Sequence, residues 1–305
     1  MRRAAIALLP GLLFACAAER EREDASQWYD GGSAYDVEEA IAFTTEPYGW
    51  TGETPIASIP RPGDFETWFA ADDAPPTDQC ADWRTVDSLP VEVEGIVTTY
   101  PRYYFKTTGC RPEGDPSIDS DQKYYGSYFI QDDSGGMFVL GDSKVAHFDM
   151  GARVTLSVRA TKEAFGLMMI SAHDVVEVDR GPTPIYYEER TEPLTAADSY
   201  QVRRMTGTVG FTGDFGEVQL CLGDVGDDDF DDINAGDDRA DAQIRCINEG
   251  RGFYAIIDSE LQRRGVELLV GEQVELTGPA FYSFSQYRLV LTRVGQIRWL
   301  DTDAE

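Results

Sequence analysis

Histidine, basic side chains and long apolar runs are scarce in this 305-residue chain. Its two histidines, His147 and His173, have no neighbouring cysteine, so a histidine-based zinc site or a Ser-His-Asp triad lacks its parts. Only 26 Lys and Arg stand against 55 Asp and Glu, a net charge of -29. Such a field repels phosphate backbones, so nucleic acid is not the expected partner. The same excess suits solubility or a salty habitat, and it equally suits calcium or a cationic partner. There is no glycine-rich loop of the phosphate-cradling kind. Beyond the first 14 residues no apolar stretch is long enough to span a bilayer. A carboxylate pair can hydrolyse a glycoside, yet among 55 acids any pair is a chance candidate. The expectation is a protein without catalysis, with a carboxylate-based hydrolase as an alternative.

What is present begins with a secretory layout: Arg2 and Arg3, then an uncharged apolar run from Ala4 to Phe14. That run is shorter than the roughly 20 residues of a spanning helix. It ends in Leu13-Phe14-Ala15-Cys16, which resembles the lipobox of bacterial lipoproteins, although Phe14 is bulkier than the usual occupant. The resemblance implies an exported chain cut before Cys16 and held at a membrane by acyl chains on that cysteine. An ordinary secretory leader cut near Ala17 would instead discard Cys16. Position two of the mature chain is Ala17, not aspartate. By resemblance to lipoprotein sorting in enteric bacteria, this favours the outer membrane, on its periplasmic or cell-surface face.

Setting Cys16 aside leaves Cys80, Cys110, Cys221 and Cys246, an even set in an oxidising compartment, which reads as two disulfides. Three connectivities are open, and the sequence-local one, Cys80–Cys110 with Cys221–Cys246, would staple each half separately. Residues 17–33 are polar and suited to a tether. Residues 36–43 suit a short capped helix. Prolines then break any long element up to Pro76. Trp50, Phe65, Trp68 and Phe69 are too apolar for a linker and are expected to pack as an arm, with Cys80 fixing its end.

From residue 90 the pattern turns to β. Val91–Val97 alternates around Gly95, and Ser127–Gln131 and Met137–Leu140 flank Asp132-Asp-Ser-Gly-Gly136 as a hairpin. Val154–Val158 follows Met150–Gly151, and a last strand runs from Leu167 to Val178 with a turn inside it. The second half repeats the order. Met205–Val209 centres on Gly207, then come Glu217–Leu222 and Gly252–Ile257. Asp258 caps a short helix from Ser259 to Arg264, Val270–Gly271 leads into Val274–Gly278, and Tyr287–Trp299 closes the unit. From Gly151 to Val178 is 27 residues and from Gly271 to Ile297 is 26, the spacing of a duplicated unit.

The segments Val93–Thr98, Tyr128–Val139 and Met150–Val154 resemble the OB-fold modules attached to secreted bacterial nucleases and other exported proteins, with a fainter echo across residues 195–301. The resemblance implies an all-β fold with minor α. In it, two tandem OB-fold-like five-stranded Greek-key barrels follow a lipoprotein signal peptide and an irregular N-terminal arm. The expected division is a signal peptide at 1–15, a lipidated tether and arm at 16–80, a first barrel at 81–181, and a second at 194–301 with an acidic insertion at 223–246. The nuclease domain that carries the chemistry in such proteins has no counterpart here.

Two groups of residues are candidate sites. The insertion carries nine aspartates between Gly223 and Asp241, and hard carboxylate oxygens on a loop suit Ca²⁺. Asp227, Asp229, Asp231, Asn234 and Asp237 are the candidate ligands. The glycine and glutamate of an EF-hand are missing from them, and a solvated acidic loop has the same composition. A weaker acidic group is Asp115, Asp119 and Asp121. Aromatics form the second group: Tyr103 and Phe105 in the first repeat, Tyr282 and Tyr287 in the second, on the strands and loops where OB barrels hold oligonucleotides or oligosaccharides. Stacking on single strands needs a positive groove, and Arg102, Lys106, Arg203 and Arg204 are the only hints of one. The expected partners are thus a membrane, through the lipid, and an envelope protein or glycan. An OB-fold nucleic-acid-binding surface protein is a second alternative. Packing inside the protein is the other reading of the same rings.

Overall fold

Period-two apolar patterns become strands throughout the computed structural model, which describes residues 41–59, 90–101, 103–107, 122–141, 148–164, 167–231, 243–283 and 286–300. A two-residue strand β1 (Phe43–Thr44) precedes the first barrel, whose strands are β2 (Val91–Val97), β4 (Gln122–Asp132), β5 (Gly135–Val139), β6 (Arg153–Ala164) and β7 (Leu167–Asp179). Between β2 and β4, β3 (Tyr103–Thr107) forms a hairpin with the first half of β4. β2 is antiparallel to β4 and β6, β4 to β5, and β6 to β7, while β5 lies parallel to β7. This cyclic pairing closes a five-stranded OB barrel.

A connection with two short strands, β8 (Ile185–Tyr186) and β9 (Glu188–Glu189), leads to the second barrel. Its strands are β10 (Val202–Thr212), β11 (Glu217–Cys221), β12 (Gly252–Ile257), β13 (Gln273–Ser283) and β14 (Gln286–Leu291), followed by β15 (Ile297–Trp299). Short helices α1 (Arg245–Asn248) and α2 (Ser259–Arg263) flank β12, and Asp258 caps α2 by accepting from the Glu260 N–H. The pairing repeats the first barrel's order, with β12 parallel to β14 and β13 returning to β10. All described residues belong to one compact unit, Ala40–Glu305.

The duplication is atomic at one turn. Gly151 N–H donates to Val97 C=O and Gly271 N–H to Val209 C=O, both at 2.8 Å. Both glycines have positive φ, +80° and +92°, where a side chain would strain the backbone.

Three expectations need correction. The helix placed at 36–43 does not reach its end, because Phe43–Thr44 is extended and pairs in parallel with Ile185–Tyr186; residues 36–40 lie outside the described set. The turn placed inside Leu167–Val178 is absent: β7 runs unbroken and absorbs the mismatch as register slips against β6. The single closing strand placed over Tyr287–Trp299 is two strands, split by a 3₁₀ turn at Val294–Gln296. The buried Gln296 amide holds that break, accepting from Thr292 and Arg293 N–H and donating to Thr277 and Val290 C=O. Even so, Trp299 opposite Val274 corresponds to Val178 opposite Val154, so the repeat survives the split.

Trp50 belongs to an arm as expected, with Arg153 4.0 Å above its ring. The apolar side chains of Ile56 and Ile59 enter the first core. Phe65, Trp68, Phe69 and the tether lie outside the described residues.

Candidate functional site

An OB barrel presents ligands to the outer face of its second and third strands, here β4–β5 and β11–β12. In the first barrel that face carries Phe129 and Phe138, which are register partners. Phe281 of β13 packs on both, with ring centroids at 5.3 and 5.0 Å. Tyr103 closes one side by edge contacts to all three rings. Tyr200, from the connection, closes the other. Its backbone has φ 65°, its hydroxyl accepts from Met168 N–H at 2.8 Å, and its own N–H donates to Ala280 C=O. Gly136 makes room for it: a Cβ there would lie 2.1 Å from the Tyr200 carbonyl oxygen. Beside this, Gln131 donates to Tyr186 C=O and accepts from Val202 N–H. The first barrel's ligand face is therefore the seam with the second.

The second barrel's face carries Gln219, Cys221 and Tyr254, and its own insertion folds back over them. Cys221 and Cys246 are disulfide-bonded. Ile244 N–H donates to the Gln219 amide oxygen at 3.0 Å, and the Gln243 amide to the Tyr254 hydroxyl at 3.1 Å. Phe211, Val225, Phe230 and Ile247 pack around the disulfide with Ile244. Ile256, on the same face, packs against the first barrel's core.

The expected sites fall as follows. Tyr103 does not lie on an open face; it is 8% exposed, and burial pushes its hydroxyl well above the ordinary tyrosine range. Tyr282 and Tyr287 do meet, with ring centroids 4.9 Å apart, half-buried beside the seam. The side chain of Phe105 lies outside the described set. In the insertion, Asn234 and Asp237 lie outside it, as does the side chain of Asp227. Asp229 is bound by the Arg251 guanidinium and the Gly226 N–H, which hold its carboxyl below the usual range. Asp231 faces Arg245 at 3.3 Å. A cation entering there competes with two guanidinium groups. Among the described residues no cluster of acids, histidines and cysteines has the make-up of a metal site. Cys16, Cys80, Cys110, Asp115, Asp119, Asp121 and His147 lie outside the described residues. His173 faces the Tyr128 hydroxyl at 3.2 Å, and burial lowers its imidazole below the ordinary value.

Two of the four basic hints, Arg203 and Arg204, are used internally, as is Arg293; Arg102 and the side chain of Lys106 lie outside the described set. Arg203 is buried against Asp198 and Glu188, at 2.8 Å each. Arg204 lies 3.7 Å over the Tyr187 ring and donates to Tyr187 Oη and Thr277. Arg293 pairs with Asp149 at 2.7 Å and lies over Tyr100.

Sequence reasoning missed the job of the Asp132-Asp133-Ser134 turn. Asp132 accepts from Ser134 and Gly135 N–H, as such turns do, but also from Ile56 N–H. Asp133 accepts from Tyr48 N–H and the Ser134 hydroxyl from Ala57 N–H, so the turn clamps the arm. The signal was the second aspartate, for which a hairpin turn alone has no use.

Asp258 sits at the same seam, where burial pushes its carboxyl up to about 6. Because the folded value is the higher one, the stability it contributes below about pH 4 is lost as pH rises through 6. Asp258→Asn keeps the capping oxygen and removes the charge. We expect it to raise stability over wild type by about 1–3 kcal/mol at pH 8 and by nothing at pH 4. Thermal melts across that range check this; a pH-independent difference would refute it.

No family model matches the chain, and no curated protein matches it. Among solved structures it is similar to the tetrameric p202 HIN2, at 12% identity and a TM-score of 0.25, over 70% of this chain and 93% of that one. It is also similar to a deletion mutant of the single-stranded DNA binding protein from Thermus aquaticus, at 13% identity and a TM-score of 0.19, over 71% and 97%.

Proposed function

We propose that the chain is an exported cell-envelope protein, anchored by lipid on Cys16, whose paired barrels serve as a non-catalytic binding or assembly module. The observation that carries the second half is the closure of both ligand faces, one by the neighbouring barrel and one by a disulfide-held insertion. A pair of barrels closed in this way meets partners with its remaining outer surfaces. Arg203, Arg204 and Arg293 are committed to internal acids and rings, which disfavours a phosphate-tracking groove. The first half rests on Leu13-Phe14-Ala15-Cys16 behind its apolar run.

Labelling with radioactive palmitate and membrane fractionation test the anchor. Wild type should carry label and sediment with membranes, and Cys16→Ala should carry no label. A wild type without label, or label that persists in Cys16→Ala, would remove the lipid reading. The purified mature protein, at low salt, should bind single-stranded DNA no more tightly than about 10⁻⁴ M. Tighter binding would favour the nucleic-acid alternative.

A further inference from the structure

The two barrels share one plan, and one place in it is filled in the first barrel but open in the second. In the first, the turn Asp149-Met150-Gly151 is covered. Thr183 N–H donates to Gly151 C=O at 2.9 Å, and a Cβ on Gly151 would meet the Thr183 carbonyl at 3.0 Å. Met150 packs on the group of Ile185, Tyr187 and Val202. Asp149 pairs with Arg293, and Met150 sulfur lies near the Thr292 hydroxyl. In short, the extended segment from Pro182 to Tyr187 is laid across the turn.

The corresponding turn of the second barrel is Leu269-Val270-Gly271, fixed by the matching Gly271–Val209 hydrogen bond. Among the described residues nothing lies within 4 Å of a Cβ built on Gly271. Leu269 and Val270 are 58% and 56% exposed, and Trp299, opposite Val274 at the same end of the barrel, is 40% exposed. Two exposed aliphatic side chains and an indole thus stand at one end of the barrel, the kind of exposed apolar surface that marks interaction sites. Where the covered turn has Asp149, this one has leucine.

We propose that Leu269, Val270 and Trp299 form the docking surface for an extended basic segment of a partner polypeptide, laid across Gly271 as Pro182–Tyr187 is laid across Gly151. The repeat supplies the mode: a backbone N–H for the Gly271 carbonyl and apolar side chains on the patch. Charge supplies the rest. A chain of net charge -29 repels its own copies and attracts a basic partner, and Glu267 and Glu272 flank the turn. This deepens the reading of the chain as a binding module. The palmitate experiment is independent of it, so the two can fail separately.

The probe is a fluorescent peptide of residues 180–190 carrying Glu188→Lys and Glu189→Lys, with the unaltered peptide, in which Arg180 and Arg190 balance Glu188 and Glu189, as its charge comparison. Anisotropy is measured on the detergent-solubilised mature protein. We expect saturable binding of the basic peptide below about 1 mM, weakened about tenfold by Val270→Lys, which removes the apolar contact and repels the probe. Weaker binding of the unaltered, neutral peptide is expected too. Val270 is exposed, so folding of the variant is checked simply by its melting temperature. No binding, or equal binding to Val270→Lys, overturns the proposal. So does concentration-dependent self-association in sedimentation that Val270→Lys abolishes, since the occupant is then a second copy.

Discussion

Phe281→Ala should lower the unfolding free energy by about 3–5 kcal/mol, the range for emptying a buried phenylalanine site. The ring belongs to the second barrel by chain but to the first by packing: it meets Phe129, Phe138, Tyr103 and Tyr200. These rings are almost wholly shielded from water. The loss should therefore couple the barrels. A double-mutant cycle with Phe138→Ala is expected to show about 1–3 kcal/mol of interaction. Gly136→Ala should imitate part of the effect without touching an aromatic ring, because its methyl would collide with the Tyr200 carbonyl. Urea unfolding read by far-ultraviolet circular dichroism gives the measurement. Wild type should unfold in one transition, and Phe281→Ala at a lower midpoint. A loss below about 1 kcal/mol, or two well-separated wild-type transitions, would mean that the seam is not a shared core.

How much of this was legible follows from whether a signal is local. Val91–Val97, the Asp132–Gly136 hairpin and the Asp258 cap could be read because alternation and turn chemistry act over a few residues. The repeated order of strands could be read for the same reason. The seam could not be placed, because Phe129 and Phe281 each sit in a run that is apolar on both faces, and such a run does not name its second partner. It did carry one hint. Ser127-Tyr-Phe-Ile130 fails to alternate, which is the mark of a strand covered on both sides. Arg203 and Arg204 misled for the opposite reason: adjacent arginines look like a basic patch until the acids that meet them, Asp198, Glu188 and Glu275, are known. The aspartates of the insertion were read as a group, and the structure hands Asp229 and Asp231 to separate arginines.

The insertion is held to its barrel by one covalent link, and cutting that link should have the second large effect. Replacing Cys221 and Cys246 by serine together opens a loop closed over a sequence separation of 25. In the chain-entropy account that is worth about 3 kcal/mol. The damage should be uneven. Asp224, Asp228 and Asp231 repel one another on a segment whose described cationic partners are Arg245 and Arg251. Without the disulfide, that repulsion works against the hydrogen bonds of Gln243 and Ile244 to Tyr254 and Gln219. Hydrogen exchange should then show the Ile244 amide losing protection, while the Met168 amide, bonded to Tyr200 at the seam, keeps it. Salt should restore part of the loss, since the Debye length falls to about 3 Å at 1 M. Unchanged protection at Ile244 would show that packing around Phe230 and Ile247 suffices. The second barrel's face would then be closed whatever the redox state of its cysteines.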